Sequence, residues 1–461
     1  MRSTIRRPDD SAPPLVQRLV TTSVGRLALA LLVVELLAGM QTYLNQTILP
    51  LLATDLRARN HYGLVTAAGT VPTFLTMPLG GAMLSRWRAG PLMTSLTALL
   101  VAGAVLGAAA PDISVYAAGE VLRGLAAGAL STITMGVMVA GLPEAWRRLC
   151  LAAGSAMWVL SSLVGPVYAA GISATWGWRW ALVAYTPVLV MARLVMARQV
   201  GGLRMSEEEA RPPVLPALAL ASGVAALGIA PTGTPWLAVA GAAGGSAVVW
   251  ACGSVFPSGV MRLEPGRRSA IATLAWVCTT YFSLDLLISP SAHDVLDLGP
   301  GRAGLALTLA GVGWSAVAMW TGAHPARPRR AYLTRVGAGC LLFAVGGGLV
   351  AGALASRLPW WTLHLGWALC GLGMGLVHQD TMIRCVTAPT ELGEADDGLS
   401  PARVATSVTV ADSAGAAGLG TFVTAAVAPS EQGIQVDLVV PVVTVLTALL
   451  ALTALLARRA A

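Results

Sequence analysis

The sequence predicts an all-α integral membrane protein with about fourteen transmembrane helices. The first observation is a series of fourteen apolar stretches between Arg26 and Leu456, most of them about 17 to 25 residues long. A helix rises 1.5 Å per residue, so stretches of this length span a hydrocarbon core about 30 Å thick. The second observation is the placement of the arginines, and the third is the composition.

The basic residues lie on alternate loops between the apolar stretches. All 30 are arginine: 24 fall on one set of loops, five on the other set, and Arg123 lies inside an apolar stretch. Short cytoplasmic loops of membrane proteins carry such an excess of arginine. We therefore expect a multi-pass protein of the cytoplasmic membrane with both termini in the cytoplasm and the lipid bilayer as its surroundings.

The composition agrees with a chain that faces lipid. Hydrophobic residues make up 56% of the chain and charged residues 11%, and the mean hydropathy is +0.71. The net charge of +8 is spread over many short loops, which argues against a nucleic-acid partner. The six cysteines form no CxxC pair, so we expect buried apolar thiols and no metal site.

An internal repeat indicates how the helices group. Gly124–Gly128 resembles Gly371–Gly375, 247 residues later, and Gly81 corresponds to Gly322, 241 residues later, each before a basic loop. The predicted organisation is a cytoplasmic N-terminal tail (1–25), an N-terminal six-helix bundle (26–199), a cytoplasmic loop (200–213), an inserted transmembrane helix pair (214–256) and a C-terminal six-helix bundle (257–461). The alternative, in which 214–256 is a linker, gives twelve spans.

Four acidic side chains lie within predicted membrane spans. They are Glu35, Glu120, Asp285 and Asp412. Ionisable groups are costly in a membrane and mark transport or proton pathways, so these four are proton-coupling candidates. Glu120 and Arg123 are three residues apart, on one helical face, and can form an ion pair. The alternative for each acid is a purely structural role, as a packing pair or a hydrogen-bonded neighbour.

Polar and aromatic side chains suggest a substrate cavity. Gln41, Asn45 and Gln46 form a polar run inside the first span and are expected to face a cavity rather than lipid. Trp158 is a further cavity candidate, although most of the tryptophans are expected at the membrane interfaces.

Several motifs resemble those of the major facilitator superfamily, specifically its fourteen-helix drug:proton antiporter branch. The antiporter-like motif consists of Ser161, Gly165, Pro166, Ala169 and Ala170, and is followed by the tryptophan-rich segment from Gly177 to Trp180. The loop from Gly81 to Gly90 is similar to the family's gating loop, with Gly81, Arg86 and Arg88 as candidates. The resemblance implies two six-helix bundles around a central cavity.

The chain departs from the family pattern at three positions. Gln41 stands in the slot of the helix-one aspartate, Ser85 in that of the gating-loop aspartate, and Glu120 in that of an arginine. The resemblance then implies that another membrane carboxylate carries the proton. For the antiporter-like motif the alternative is ordinary close packing, and for the gating loop it is simple anchoring by positive charge.

The sequence therefore predicts a secondary active transporter and not an enzyme. We expect proton-coupled efflux of hydrophobic or amphipathic small molecules by alternating access, from a monomer. A GxxxxGK[ST] phosphate loop is absent from the sequence, so a proton gradient rather than ATP is the expected energy source, with no cofactor. The alternatives are a proton-coupled symporter or exporter for one specific metabolite, and a membrane-embedded sensor or enzyme.

Overall fold

The computed structural model describes residues 19–56, 62–201, 212–229, 235–298, 300–392, 395–427 and 434–460, and within these ranges the regular structure is helical throughout. The N-terminal half contains α1 (Ser23–Asp55), α2 (Tyr62–Thr76), α3 (Gly80–Arg86), α4 (Ala89–Ala108), α5 (Ile113–Gly141), α6 (Glu144–Trp176), α7 (Trp178–Ala181) and α8 (Thr186–Gln199). The central pair is α9 (Val214–Ile229) and α10 (Pro235–Val255). The C-terminal half contains α11 (Arg267–Asp294), α12 (Pro300–Ala323), α13 (Arg329–Leu354), α14 (Trp361–Val386), α15 (Pro401–Gly415), α16 (Thr421–Val427), α17 (Val436–Ala451) and α18 (Thr453–Ala460).

Among these described helices, ten are long and apolar enough to cross a membrane, and Val214–Leu227 is a shorter apolar helix. The count of fourteen spans stays a prediction.

Two predicted spans are interrupted helices. Between α2 and α3 the chain adopts a 3-10 turn, Met77–Leu79, where Pro78 has no N–H to continue an α-helix. Between α15 and α16 it forms a π-helical turn, Ala416–Gly420.

Each half of the chain has its own hydrophobic core. One core is built almost wholly from residues 27–200, with Leu44, Leu84 and Ile133 fully buried. The other is centred on residues 270–460, with Phe343 and Leu450 fully buried, and it also includes buried residues of the central pair. The two cores correspond to the two predicted bundles.

The repeated glycines occupy equivalent contacts in the two bundles. A Cβ on Gly124 would lie 2.3 Å from the carbonyl oxygen of Gly69, and a Cβ on Gly371 would lie 2.1 Å from that of Ala310. Four residues on, Gly128 meets the carbonyl of Thr73, and Gly375 meets that of Trp314. The partners are offset by 241 residues (310 − 69 and 314 − 73) and the glycines by 247. The glycines that the repeat pairs thus make equivalent helix contacts in the two halves of the chain.

The central pair bridges the two bundles. Helix α9 packs on α2 of the first bundle, whereas α10 packs on α15 and on the π-helical turn of the second. Gly223 and Gly244 bring α9 and α10 together, since a Cβ on either would lie 2.8 Å from the other's carbonyl oxygen. On the far side, Gly241 lies against the ring of Phe422 in α16.

Both described ends of the chain lie at one face of the molecule. Leu27, near the start of α1, contacts Gly141 at the end of α5, and Arg329 donates to the carbonyl of Arg458 near the end of α18. We call this the arginine-rich face, because its loops carry Arg86, Arg88, Arg147, Arg148, Arg327, Arg329 and Arg330.

Candidate functional site

A charged cluster in the first bundle joins α5 to α1. Glu120 and Arg123 form a buried ion pair, as their three-residue spacing predicts. The guanidinium of Arg123 also donates to the side-chain oxygens of Asn45 at 3.4 Å and Gln41 at 3.5 Å. A lone charge is costly at this depth, and the mutual pair together with the two amides lowers that cost. Arg123 thus has alternative acceptors close to Glu120.

Close packing surrounds the same pair. Gly69 of α2 faces Glu120, because a Cβ there would lie 3.3 Å from a carboxylate oxygen. Gly103 of α4 contacts the side chain of Arg123, where a Cβ would lie 2.9 Å from its Cγ. Glycines on two neighbouring helices therefore make the room that the pair occupies.

Glu35 links α1 to α6. The indole N–H of Trp158 donates to its carboxylate at 2.6 Å, and Trp158 is 42% exposed. One turn further along α6, Ser161 donates to the carbonyl of Leu36 at 2.7 Å. Glu35 thus takes part in the contact between α1 and α6 of the first bundle.

The antiporter-like motif packs α6 on α1. A Cβ on Gly165 would lie 2.8 Å from the Cβ of Tyr43, and Gly39 of α1 meets Ser161 equally closely. Ala169 is fully buried, and Pro166 lies inside the continuous helix α6. The motif residues thus form a contact within one bundle, and a directional role for them stays a prediction.

Asp285 of α11 lies beside an aromatic cluster in the second bundle. The ring of Tyr281 stacks on Trp367 at 5.0 Å and meets Trp314 edge-on at 5.8 Å. Asp285 is half-buried and lies four residues after Tyr281 on α11. Over the described residues, no arginine or histidine nitrogen lies within 4.0 Å of its carboxylate. Asp285 therefore differs from Glu120 in lacking a basic partner.

Asp412 accepts two hydrogen bonds, from two different helices. The ring Nε2 of His378 in α14 lies 3.0 Å from its Oδ1, and the thiol of Cys278 in α11 lies 3.2 Å from the same oxygen. The neighbouring Ser413 contacts the sulfur of Met77 in the first bundle. The three side chains thus meet in the second bundle close to its contact with the first.

Ion pairs and small residues close the arginine-rich face. Arg147 of α6 donates to Glu391 of the second bundle at 2.6 Å, and Arg327 donates to Glu144 of α6 at 2.9 Å. Arg147 is almost fully buried and also donates to the carbonyl of Val139. These pairs hold α6 to the loops of the opposite bundle.

The two glycines of the repeat strengthen this closure. A Cβ on Gly81 would lie 2.2 Å from the hydroxyl oxygen of Thr406, and a Cβ on Gly322 would lie 2.7 Å from the Cβ of Ala152. Each glycine thus lets a helix end of one bundle touch the other bundle. Arg86 and Arg88 follow Gly81 as exposed residues, and Arg88 precedes the first turn of α4.

The opposite face carries a smaller charged contact. Arg179 of α7 pairs with Asp55 at the end of α1, and the indole of Trp178 donates to the same carboxylate at 3.1 Å. The hydrogen bonds from Arg179 and then Trp178 hold the pKa of Asp55 below its ordinary value. Gly177, with a φ of 91°, ends α6 and lets the chain turn into α7.

The structure brings together some predicted site residues and separates others. Gln41, Asn45, Glu120 and Arg123 meet in one cluster, whereas Asp285 and Asp412 lie in the second bundle. The side chain of Gln46 lies outside the described residues.

Sequence analysis missed the neighbours of Asp412. Cys278 is buried, as expected, but its thiol also donates to the Asp412 carboxylate, a contact that the sequence did not indicate. His378 carried no recognisable motif. Because the three residues lie on three helices, no spacing along the sequence indicates their contact.

Two halves of apolar helices that contain buried charged side chains are typical of membrane transporters. The family model of the Major Facilitator Superfamily matches residues 31–395, and the chain belongs to that superfamily. It is a multi-pass integral membrane transporter, not an enzyme.

Curated relatives match about a third of the chain. A probable multidrug-efflux transporter of Mycobacterium tuberculosis is 31% identical over 166 residues, 35% of each chain. The fatty acid resistance protein FarB of Neisseria gonorrhoeae is 26% identical over 154 residues, covering 33% of this chain and 30% of that protein. The multidrug efflux pump SdrM of Staphylococcus aureus is 20% identical over 168 residues, 36% of this chain and 38% of the pump. The matched segment is thus well under half of each relative.

Solved structures resemble the whole chain. The human organic anion transporter MFSD10 superposes with a TM-score of 0.67 at 15% identity, covering 97% of this chain and all of that one. The fucose:proton symporter FucP of E. coli gives a TM-score of 0.58 at 13% identity, covering 93% and 98%. At these identities the likeness establishes the fold.

Proposed function

We propose that this protein exports hydrophobic or amphipathic small molecules in exchange for protons. Its place would be the cytoplasmic membrane, with the arginine-rich face in the cytoplasm. Multidrug efflux pumps among the relatives support the substrate class. Trp158, which is 42% exposed and donates to the membrane carboxylate Glu35, supports it further, because a flat apolar ring accommodates varied apolar substrates.

The observation that carries the proposal is the pair of carboxylates, Glu120 and Asp285, in opposite bundles. Glu120 can take a proton only when Arg123 turns to other acceptors, and the amides of Asn45 and Gln41 are within reach. No basic side chain in the described structure pairs with Asp285. A proton can therefore bind its carboxylate without breaking an ion pair. A proton entering from outside gains about 2.3 kcal/mol per 100 mV of membrane potential.

Alternating access would follow from the closure at the arginine-rich face. In this cycle the Arg147–Glu391 and Arg327–Glu144 pairs would form when the cytoplasmic side closes and break when it opens. Protonation of the interior carboxylates would favour rocking of the two bundles and opening of the cytoplasmic side. Substrate would enter there, and loss of the proton to the cytoplasm would reset the cycle.

The test is drug efflux in everted vesicles that carry a pH gradient. We expect an uncoupler to abolish transport and ATP depletion to have no direct effect. Transport that survives the uncoupler and stops on ATP depletion overturns the proposal. A panel of substrates decides between broad efflux and export of one metabolite.

The carboxylates are tested with Glu120→Gln and Asp285→Asn. Each is expected to lose gradient-driven efflux while keeping substrate binding, because the amide keeps the shape of the side chain without the proton site. Asp437→Asn is the matched control, since Asp437 is exposed in the first turn of α17. If both variants keep wild-type coupled transport, the two acids are structural.

A further inference from the structure

We propose that Cys278, His378 and Asp412 form a binding site for a thiophilic divalent cation, with Zn²⁺ as the best fit. The three ligand atoms are the thiol sulfur, a ring nitrogen and a carboxylate oxygen, and all lie within 4.8 Å of one another. This revises the expectation from the sequence that the cysteines bind no metal.

The geometry agrees with three corners of a tetrahedral zinc site. With bonds of about 2.0 Å to nitrogen and oxygen and about 2.3 Å to sulfur, tetrahedral angles place N and O roughly 3.3 Å apart and S and O roughly 3.5 Å apart. The corresponding separations are 3.0 Å for His378 to Asp412 and 3.2 Å for Cys278 to Asp412. The third separation, from the Cys278 sulfur to the His378 nitrogen, is within 4.8 Å, so the three side chains need a rotamer adjustment to hold an ion.

The set of donor atoms favours zinc over the harder cations. Mg²⁺ and Ca²⁺ prefer sites made of oxygen ligands alone, whereas a mixed sulfur, nitrogen and oxygen set suits Zn²⁺. The ring Nδ1 of His378 is buried and has no hydrogen-bond partner in the described structure. The histidine can therefore present Nε2 to a metal without breaking a bond at its other nitrogen.

The ion can reach the site and find a fourth ligand there. The side chain of Asp412 is 42% exposed, whereas that of His378 is 10% exposed. Asp412 is thus the most accessible of the three ligands. Water would complete the coordination. Binding converts the Cys278 thiol to a thiolate, and the released proton passes to water in the interior.

Cobalt titration of the purified full-length protein gives a direct measurement. Co²⁺ replaces Zn²⁺ in such sites, and a cobalt–thiolate bond adds a near-ultraviolet charge-transfer absorption. We expect this absorption in the wild type and in Cys252→Ser, the matched control at a half-buried cysteine of α10. Cys278→Ser should lack it, and added Zn²⁺ should abolish it in the wild type.

A second variant makes the result independent of the thiol. His378→Gln should weaken Zn²⁺ binding at least about tenfold, as loss of a ligand does in known sites. Size-exclusion profiles and thermal unfolding confirm that each variant is folded. If Cys278→Ser keeps the cobalt absorption, or if His378→Gln binds Zn²⁺ as tightly as the wild type, the site does not exist.

The outcome is separable from that of the proposed transport function. Metal binding is measured at equilibrium and needs no gradient. The metal affinities of Cys278→Ser and His378→Gln are read without a transport measurement, and Glu120→Gln and Asp285→Asn leave the three ligands unchanged. The proposal of proton coupling and the proposal of metal binding can thus each be contradicted without affecting the other.

Discussion

The exposed side chain of Asp55 holds the end of the long helix α1 against α7. It ends α1, and both of its described partners, Trp178 and Arg179, stand in the tryptophan-rich segment. That segment was recognised in the sequence only as a family motif. The structure gives it a physical role: Gly177 turns the chain, and the next two residues hold the end of α1.

The contribution of this contact to stability should depend on pH. Since the pKa of Asp55 is lowered on folding, its stabilising effect is present above the ordinary aspartate pKa of about 3.9 and is lost as the pH falls through the lower folded value. The measurement is the melting temperature of the wild type minus that of Asp55→Asn, followed from neutral to acid pH. We expect a small difference at neutral pH that disappears in acid.

Arg179→Gln is the control protein, in which the same Asp55→Asn comparison is repeated. In that variant the effect of Asp55→Asn at neutral pH should be smaller, because the ion-pair partner of Asp55 is gone. An unchanged difference would show that Arg179 does not act on Asp55.

Single glycines decide how closely helices approach at the arginine-rich face. Gly81 and Gly322 are equivalent in the repeat, and both touch the opposite bundle. The more exposed ion pair nearby, Arg327–Glu144, would alone hold the face weakly, because exposed pairs contribute about 0–1 kcal/mol. At Gly81 and Gly322 the helices of the two bundles pack closely enough to exclude water, and this packing stabilises the closed face.

Gly81→Val should open this face. The added Cβ would lie 2.2 Å from Thr406, so the helices must separate or the closed state must become less populated. Spin labels at the exposed residues Arg88 and Arg403 are expected to move apart in this variant.

The control is Gly337→Val, where no atom lies within 4 Å of the added Cβ and the change in helix propensity is the same. Its label distances should equal those of the parent protein. Equal distances in both variants would mean that Gly81 does not set the closure.

At the scale of the whole molecule, the inserted pair α9 and α10 joins the two bundles. The bundles also contact each other at the arginine-rich face and in the interior of the molecule. Helix α9 lies against α2, and α10 lies against α15 and the π-helical turn. Its buried residues Leu220, Val224 and Val248 belong to the same core as those of the C-terminal bundle. The pair therefore covers one seam between the bundles and belongs by packing to the second.

Reporter fusions test the predicted number of spans. A fusion at Gly233 should read as external and one at Arg204 as cytoplasmic, because α9 and α10 would cross the membrane and return. A cytoplasmic signal at Gly233 would contradict the fourteen-span arrangement and support twelve spans.

The sequence by itself determined the class of the protein, the grouping into repeated halves and the Glu120–Arg123 pair. Each follows from a local or periodic property: the length of apolar stretches, the placement of arginine, equal offsets between glycines, and a three-residue spacing on a helix. Tertiary structure decided which distant side chains meet. Asn45 reaches Arg123 over 78 positions, and Cys278 reaches Asp412 over 134. Helix packing fixes those contacts through rotation and depth, which the pattern of one apolar span leaves open.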